Sequence, residues 1–387
     1  MKKIAVFTGT RAEYGLLYWI LKGLEKSDNV ELQLLVGGMH LSPEFGYTVK
    51  TIEQDGFYIS ERLEFLLSSD SPVGISKSLG LAIISSAECF SRLQPDLVVI
   101  LGDRFESMAI AQAAMIATIP VAHIHGGELT QALIDDSVRH SITKMSQLHF
   151  TSTEIYRRRI IQMGEQPSHV FNVGAPGIDN IKHLSLMTVD KLSESLSFSL
   201  DTPFFLVTYH PVTLVKDGAI DALSNLLSAL DTFQDYKIII TFPNADTYGR
   251  NLITLLDNYS QKQSDRVLLI ESMGQVRYLS ALKHASGVIG NSSSGIIEAP
   301  SLHTPTVNIG NRQKGREASQ SVIQCDESFE AIKSAISKIL EPNFRQAMKQ
   351  YSNPYESGNA SNEIVNIISS YDVSSLVQKE FYDFESQ

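Results

Sequence analysis

Short apolar, β-rich runs recur along the chain, and each precedes a polar or Gly-containing turn and then a helical pattern. In the first half these runs are Ile4–Thr8, Leu32–Val36, Leu97–Leu101 and Val121–His125. In the second half they are Phe204–Tyr209, Lys237–Phe242, Val267–Ile270, Val288–Gly290 and Thr306–Ile309. Several are almost wholly apolar, which is typical of parallel strands that helices cover on both faces. The alternation therefore predicts a doubly wound α/β architecture.

The chain of 387 residues is longer than one hydrophobic core normally serves. The stretch VGAPGIDNI, residues 173–181, interrupts the periodicity with Gly, Pro and Asp and indicates a domain boundary. We therefore expect two Rossmann-like domains facing across a cleft, the first over residues 1–175 and the second over residues 176–360.

The net charge of −11 gives no reason to expect a nucleic-acid or membrane partner. No apolar run reaches the roughly 18 residues that span a bilayer, and the N-terminal MKKIAVF is interpreted as an opening strand rather than a signal peptide. The only two cysteines, Cys89 and Cys325, follow no metal or redox spacing and suit a reducing cytoplasm.

Unusual side chains collect where the predicted strands end, which is where open parallel sheets bind ligands. The turns concerned read TGTRAEYG, LGDRFES, HIHGGE, TYHPVT, TFPNADT and IGNSSSG. They supply Arg11, Glu13, Asp103, Arg104, Glu106, His123, His125, Glu128, His210, Asn244, Asp246 and Ser292–Ser294. Six strand ends with charged, His or Ser-rich turns indicate an active site.

The turn from Gly290 to Gly295 lies between a buried strand and a helical pattern. Backbone N–H groups and Ser hydroxyls in such a turn point at an anion, helped by the helix dipole. Ordinary Ser capping of the helix is the alternative. No Gly-Lys-Ser/Thr follows, so this is not a P-loop, and TGTRAEYG gives no dinucleotide fingerprint.

Arginines and carboxylates in these turns suit a sugar diphosphate. Arg11, Arg104 and Arg312 lie in predicted turns, where guanidinium groups can grip phosphate in a bidentate way. Asp103, Glu128 and the pair Asp135–Asp136 supply carboxyl groups for acid–base chemistry, although DDSVRH also fits a helix N-cap.

His123 and His125 alternate on one predicted strand and should point to the same side. A third metal ligand at suitable spacing is missing, which disfavours a metal site. His210 ends its strand before Pro211, where it can bond the turn or contact a pyrophosphate.

Several motifs occur in one order over most of the chain: FTGTRAEYG, LGDRFE, HIHGGE, DDSVRHSITKMSQLHFTST, HPVT, NADT, GNSSSGIIEAPSL, NIGNRQKGR and NPYESGNAS. Together they resemble the UDP-N-acetylglucosamine 2-epimerase family, in particular its hydrolysing branch. The resemblance implies a two-domain fold like that of GT-B glycosyltransferases, with residues 361–387 forming a C-terminal helix that packs back on the first domain.

The resemblance also implies a reaction. A base removes the C2 proton of UDP-N-acetylglucosamine while UDP leaves C1 in an anti elimination, and water then adds to the 2-acetamidoglucal. The products are N-acetylmannosamine, inverted at C2, and UDP. Close relatives treat the UDP-2,4-diacetamido-bacillosamine of the legionaminic acid pathway in the same way. No metal or redox cofactor is required, and a homodimer or homotetramer is implied.

Matching the motifs residue by residue gives the implied site. The diphosphate side is Arg11, His210, Ser292 and Ser293, with Glu298 about two helical turns beyond the serine turn for the ribose hydroxyls. The rest of the nucleotide pocket is Tyr278, Asn244 and Arg312. Asp103 and Asp135 match catalytic acids, and Arg104 lines the sugar site.

One position departs from the family pattern. Some relatives have a catalytic Glu where this chain has His125, so the C2 base is His125, Glu128 or Asp103. Three alternatives remain on the sequence alone: a non-hydrolysing epimerase that returns UDP to the glucal, a GT-B glycosyltransferase, and a silent UDP-sugar binding module.

Overall fold

The computed structural model describes residues 1–69, 71–130, 134–210, 218–242 and 249–383. Within them the chain forms two compact units. The first comprises Met1–Leu129, Ile134–Asn180 and Tyr355–Gln387, and the second is built mainly from Ile181–Pro354. After Pro354 the chain thus returns to the first unit.

The first unit contains a seven-stranded sheet of order β3-β2-β1-β4-β5-β6-β7, all parallel. The strands are β1 Lys2–Thr8, β2 Val30–Gly37, β3 Ile59–Leu63, β4 Leu97–Leu101, β5 Val121–Ile124, β6 Leu148–Thr151 and β7 Val170–Asn172. The helices are α1 Arg11–Glu25, α2 Val49–Gln54, α3 Pro72–Leu93, α4 Phe105–Ile116, α5 Ile134–Met145, α6 Glu154–Gln162, α7 Pro176–His183 and α15 Ala360–Ser370.

The second unit contains a six-stranded parallel sheet of order β10-β9-β8-β11-β12-β13. Its strands are β8 Phe204–Thr208, β9 Lys237–Thr241, β10 Val267–Ile270, β11 Gly287–Gly290, β12 Thr306–Ile309 and β13 Val322–Cys325. Its helices are α8 Val189–Leu196, α9 Gly218–Leu230, α10 Gly249–Lys262, α11 Gly274–His284, α12 Ser294–Ile297, α13 Phe329–Leu340 and α14 Pro342–Ala347.

Each sheet buries both of its faces. In β1, Ile4 and Val6 join a core with α1 and α15, whereas Ala5 and Phe7 join a second core with α3 and α4. In β8, Phe205 and Val207 face one core and Phe204 and Leu206 the other. This period-two division between two apolar cores is what a doubly wound sheet requires. The predicted fold class of two doubly wound α/β domains is confirmed.

The C-terminal segment that begins at Tyr355 packs on the rest of the first unit. In α15, Ile364 and Ile368 are fully buried in the core that α1 contributes to. Ahead of this helix the Tyr355 hydroxyl lies 2.9 Å from the Tyr156 hydroxyl, and in its first turn the backbone N–H of Ser361 donates to Asp179 at 2.6 Å.

One described helix, α3, passes a length-and-composition test for a membrane span, with a mean hydropathy of 1.3 over its most apolar window. The helix is not a continuous apolar run, because it contains Lys77, Glu88 and Arg92. In the structure α3 packs on α4, and its Ala82, Cys89 and Phe90 lie in the core of the first unit. Core helices pass the same test, so it is weak evidence for a span.

Candidate active site

The strand order of each sheet reverses once, and ligands of open α/β sheets bind at that switch point, beyond the carboxyl ends of the strands. In the first unit the switch point lies between β1 and β4, and in the second between β8 and β11. The turns that follow these four strands hold five of the predicted site residues, Asp103, Arg104, His210, Ser292 and Ser293.

At the end of β1, Glu13 forms a capping box with Thr10 at the start of α1. Its Oε2 accepts the backbone N–H groups of Gly9 at 2.8 Å and Thr10 at 3.0 Å. Its buried Oε1 has no hydrogen-bond partner in the described part of the chain. Burial raises the pKa of Glu13 to about 7, against the opposing effect of the Arg104 guanidinium. Arg11 is the exposed first residue of α1 rather than a turn residue.

At the end of β4, Arg104 precedes α4 and donates to both carboxylate oxygens of Glu106, at 3.2 and 3.0 Å. Glu106 is buried, with 1% of its side chain exposed. Asp103, the residue before, pairs with the buried guanidinium of Arg139 on α5. Arg139 was not among the predicted site residues, although it lies within the quoted motif DDSVRHSITKMSQLHFTST.

Helix α5 carries the acidic pair that the sequence suggested as a cap or a catalytic group. Asp135 and Asp136 both lie in its first turn, and Asp135 is exposed. Asp135 stands four residues before Arg139, so the two side chains share one face of the helix. Asp136 Oδ2 instead lies 3.6 Å from His140 Nε2.

The turn after β5 holds a histidine–carboxylate pair. His125 Nδ1 lies 2.6 Å from Glu128 Oε1, and the same oxygen accepts the Ser152 hydroxyl at 2.9 Å. His125 Nε2 is buried and has no hydrogen-bond partner among the described residues. The backbone of His125 is left-handed, with φ of 64°, and such a conformation at a non-Gly residue is a local strain that often marks a functional site.

The expectation that His123 and His125 point to one side of a strand is wrong. Strand β5 ends at Ile124, and the left-handed backbone of His125 breaks the alternation. His123 is fully buried, its Nε2 donates to the Gly102 carbonyl at 2.7 Å, and burial lowers its pKa to about 3. His123 therefore has a structural role in joining β5 to the turn after β4.

In the second unit the serine turn follows β11. Ser293 precedes α12 but its side chain makes no capping hydrogen bond. Helix α12 is a single turn, Ser294–Ile297, so Glu298 follows it directly rather than two turns later, and the expected dipole contribution is small. The sequence predicts a longer helix than the structure has, because Pro300 ends the regular α-helix early.

The remaining predicted nucleotide residues of this unit cluster around the serine turn. Burial and the Glu298 carboxylate raise the pKa of Tyr278, on α11, to about 12, and the hydroxyls of Ser292, Ser294 and Thr208 lie near enough to oppose this shift. Thus Tyr278, Glu298 and the serines of this turn lie together.

His210 and Arg312 meet at Asn291, which is fully buried. The Asn291 side chain bonds the backbone of His210 twice, and Arg312 Nη1 donates to the Asn291 carbonyl at 3.0 Å. Burial, with Arg312 adding to it, lowers the pKa of His210 to about 3. The ring is therefore neutral at pH 7. Asn291 was not predicted, although it lies within the quoted serine motif.

Asn244 lies outside the described residues. Within the ranges described, no group of three or more His, Cys, Asp or Glu side chains is arranged to hold a metal ion. The first unit therefore supplies a His–Glu pair, an Asp–Arg pair and a buried carboxyl group, while the second supplies hydroxyls, an arginine and a neutral histidine. The first set suits proton transfer and the second suits a phosphorylated ligand.

The chain is similar to several known proteins. The family model for UDP-N-acetylglucosamine 2-epimerase matches residues 22–369. The chain is 41% identical to the hydrolysing GDP/UDP-N,N'-diacetylbacillosamine 2-epimerase of Campylobacter jejuni, over 89% of each chain. It is also 41% identical to polysialic acid biosynthesis protein P7 of Escherichia coli, over 99% of this chain and 98% of the other. The crystal structure of a Neisseria meningitidis UDP-GlcNAc 2-epimerase bound to UDP-GlcNAc superimposes with a TM-score of 0.81 at 21% identity, covering 95% of this chain and 99% of that one.

The raised pKa of Glu13 gives a testable pH dependence. Its folded pKa of about 7 exceeds the ordinary value of 4.5, so this group stabilises the fold most below pH 4.5 and the contribution is lost as the pH rises through 7. Relative to Glu13→Gln, the free energy of unfolding of the wild type should fall by on the order of 2 kcal/mol between pH 4.5 and 8.

Urea denaturation across this pH range measures the difference. Glu44→Gln, which removes an exposed carboxylate, is the matched control and should track the wild type. If the free energy of unfolding had the same pH dependence in the wild type and in Glu13→Gln, the pKa of Glu13 would not be raised in the folded protein.

Proposed function

This chain belongs to the UDP-N-acetylglucosamine 2-epimerase family, and on that basis we propose that it hydrolyses a UDP-2-acetamido sugar with inversion at C2. The proposed reaction is anti elimination of UDP to the 2-acetamidoglucal, followed by addition of water. It needs a base for the C2 proton, a carboxylate near C1 and a site that holds the leaving diphosphate.

The His125–Glu128 pair carries the proposal. Glu128 holds the Nδ1 side of the imidazole at 2.6 Å, and a carboxylate in that position favours the tautomer whose Nε2 bears the lone pair. Nε2 makes no hydrogen bond to any described residue, so it is available to a substrate proton. We assign His125 as the C2 base and Glu128 as its positioning residue. Glu128 is the weaker base candidate because Ser152 and His125 already occupy its Oε1.

We assign Asp103 as the carboxylate near C1. Its pairing with Arg139 fixes the carboxylate at the end of β4, where it stabilises the positive charge that develops at C1 as UDP leaves and then orients the attacking water. Asp135 shares a helix face with Arg139 and is the second acid candidate for this step. Arg104, held by Glu106, lines the sugar site.

The second unit holds the nucleotide. Ser292 and Ser293 bind the diphosphate with Arg312, and His210 adds a neutral hydrogen-bonding group. Glu298 takes the ribose hydroxyls and Tyr278 completes the uridine side. Arg11 and Asn244 are assigned to the nucleotide from the motif match alone. Hydroxyl and guanidinium groups at a switch point are suited to a pyrophosphate.

The names of two relatives support two alternative UDP-sugar substrates. The E. coli relative is named for polysialic acid biosynthesis, which fits UDP-N-acetylglucosamine and release of N-acetylmannosamine. The C. jejuni relative is named for diacetylbacillosamine, which fits a 2,4-diacetamido sugar. Both substrates undergo the same chemistry at C1 and C2, and they differ at C4 and, because bacillosamine is a 6-deoxy sugar, at C6.

Product analysis separates these substrates and the rival reactions. The purified protein is incubated with each UDP-sugar, and the products are resolved by anion exchange and phosphorus NMR. We expect free UDP in equal amount to a sugar inverted at C2, with the larger kcat/KM identifying the substrate. An inverted UDP-sugar without free UDP would indicate the non-hydrolysing epimerase, and inertness towards both sugars would contradict the proposal.

Replacing the base should lower turnover without weakening UDP binding. His125→Ala should reduce kcat by about 100- to 10,000-fold, the usual contribution of a general base, while the Kd for UDP measured by calorimetry stays unchanged. His149→Ala is the matched control because it also breaks a buried His–Glu contact of the first unit, at 3.0 Å to Glu165. That variant should lose stability and keep its kcat; equal kcat losses in both variants would remove His125 from the mechanism.

A further inference from the structure

Three strand ends of the second unit meet at one buried residue, Asn291. It follows β11, it lies at the switch point between β8 and β11, and none of it is exposed. Its backbone N–H donates to the Thr208 carbonyl at the end of β8, at 3.1 Å. The preceding Gly290 has φ of 142°, and a Cβ there would collide with the same carbonyl. The two strands therefore approach unusually closely at this point.

The Asn291 side chain continues the sheet beyond its last backbone pair. The parallel register of β11 and β8 ends at Gly290 opposite Thr208. Past that point Asn291 Oδ1 accepts the His210 N–H at 2.7 Å, and Nδ2 donates to the His210 carbonyl at 2.9 Å. A side-chain amide can do both because it carries an acceptor and donors on adjacent atoms, whereas a carboxylate carries acceptors alone.

The backbone carbonyl of Asn291 fixes a second strand end. Arg312 Nη1 donates to it at 3.0 Å, and Gln313 Nε2 donates to it at 2.9 Å. Both donors lie in the turn after β12, which is the neighbour of β11 in the sheet. One residue thus locates His210 on one side and Arg312 on the other, although they are far apart in sequence.

We propose that Asn291 is a positioning residue for nucleotide binding: its amide and carbonyl hold His210 and Arg312 in the arrangement that receives the UDP diphosphate. The inference rests on the function proposed above, since it needs UDP as the ligand of the second unit. Pre-ordering matters because side chains that are ordered only on binding cost affinity. Asn291 acts through its neighbours, so saturating substrate compensates for its loss and the C2 chemistry of the first unit is not affected.

The test is Asn291→Asp, which keeps the shape of the side chain and replaces the Nδ2 donor by an oxygen facing the His210 carbonyl. We expect the Kd for UDP and the KM for the UDP-sugar to rise by about 10- to 100-fold, the equivalent of a lost hydrogen bond that supports charged-group recognition. The kcat should change by less than about threefold, because the free energy is lost in binding and not in the chemical step.

Asn308→Asp is the matched control. Asn308 is likewise a buried amide, on β12 opposite Gly290, but its Nδ2 donates to Gln324 on β13 at 2.5 Å rather than to a residue assigned to the nucleotide. It should lower the melting temperature and leave the Kd for UDP unchanged. If Asn291→Asp does not fold, as judged by circular dichroism, Asn291→Ser removes both contacts to His210 without adding a charge and is measured in the same way.

The outcomes are distinguishable. Weaker UDP binding in the Asn291 variant alone, at constant kcat, supports the positioning role. Unchanged affinity overturns it while the proposed function stands, and equal weakening in the Asn308 variant shows a general structural effect and also overturns it. A wild-type protein that neither binds UDP nor turns over a UDP-sugar contradicts the proposed function itself, and the inference is then wrong with it.

Discussion

A parallel strand that is buried on both faces leaves room for polar side chains mainly at its ends, and this constraint organises the whole molecule. In β1 and β8, successive residues alternate between two apolar cores. A charged group within these strands would be desolvated without compensation. The ionisable and hydroxyl side chains therefore gather in the turns that follow the strands, and within each sheet the reversal of strand order brings the turns of two central strands side by side.

The two units compensate the desolvation of their buried polar groups in different ways. In the first, buried charges are paired, as in Glu106 with Arg104 and Asp103 with Arg139, and a group without a full set of partners shifts its pKa, as Glu13 does. In the second, backbone groups and neutral side chains do most of the bonding, with Asn291 at the centre. Paired carboxylates and an imidazole suit proton transfer, while a neutral, hydroxyl-rich turn with one arginine suits an anionic leaving group.

Sequence patterns located the central strands and the site turns, because apolar runs and polar strand ends are local signals; β4, β10 and β12 have the predicted bounds. The patterns missed β3, β7 and β13, which are edge strands and tolerate polar residues such as Glu61, and also the four-residue β6. They missed the pairing of Asp103 with Arg139 and of His210 with Asn291, since both depend on contacts between distant segments. The left-handed backbone of His125 has no local signal either, and it reversed the expectation for the two histidines.

Deuterium incorporation at C2 is the most direct test of the central claim, which is that a base of the first unit removes the C2 proton during loss of UDP. The reaction is run in D2O with a UDP-2-acetamido sugar, and the released sugar is examined by proton NMR and mass spectrometry. The account predicts one deuterium at C2 in essentially every product molecule. A product that retains its C2 proton would contradict the elimination route and the assignment of His125 as the base.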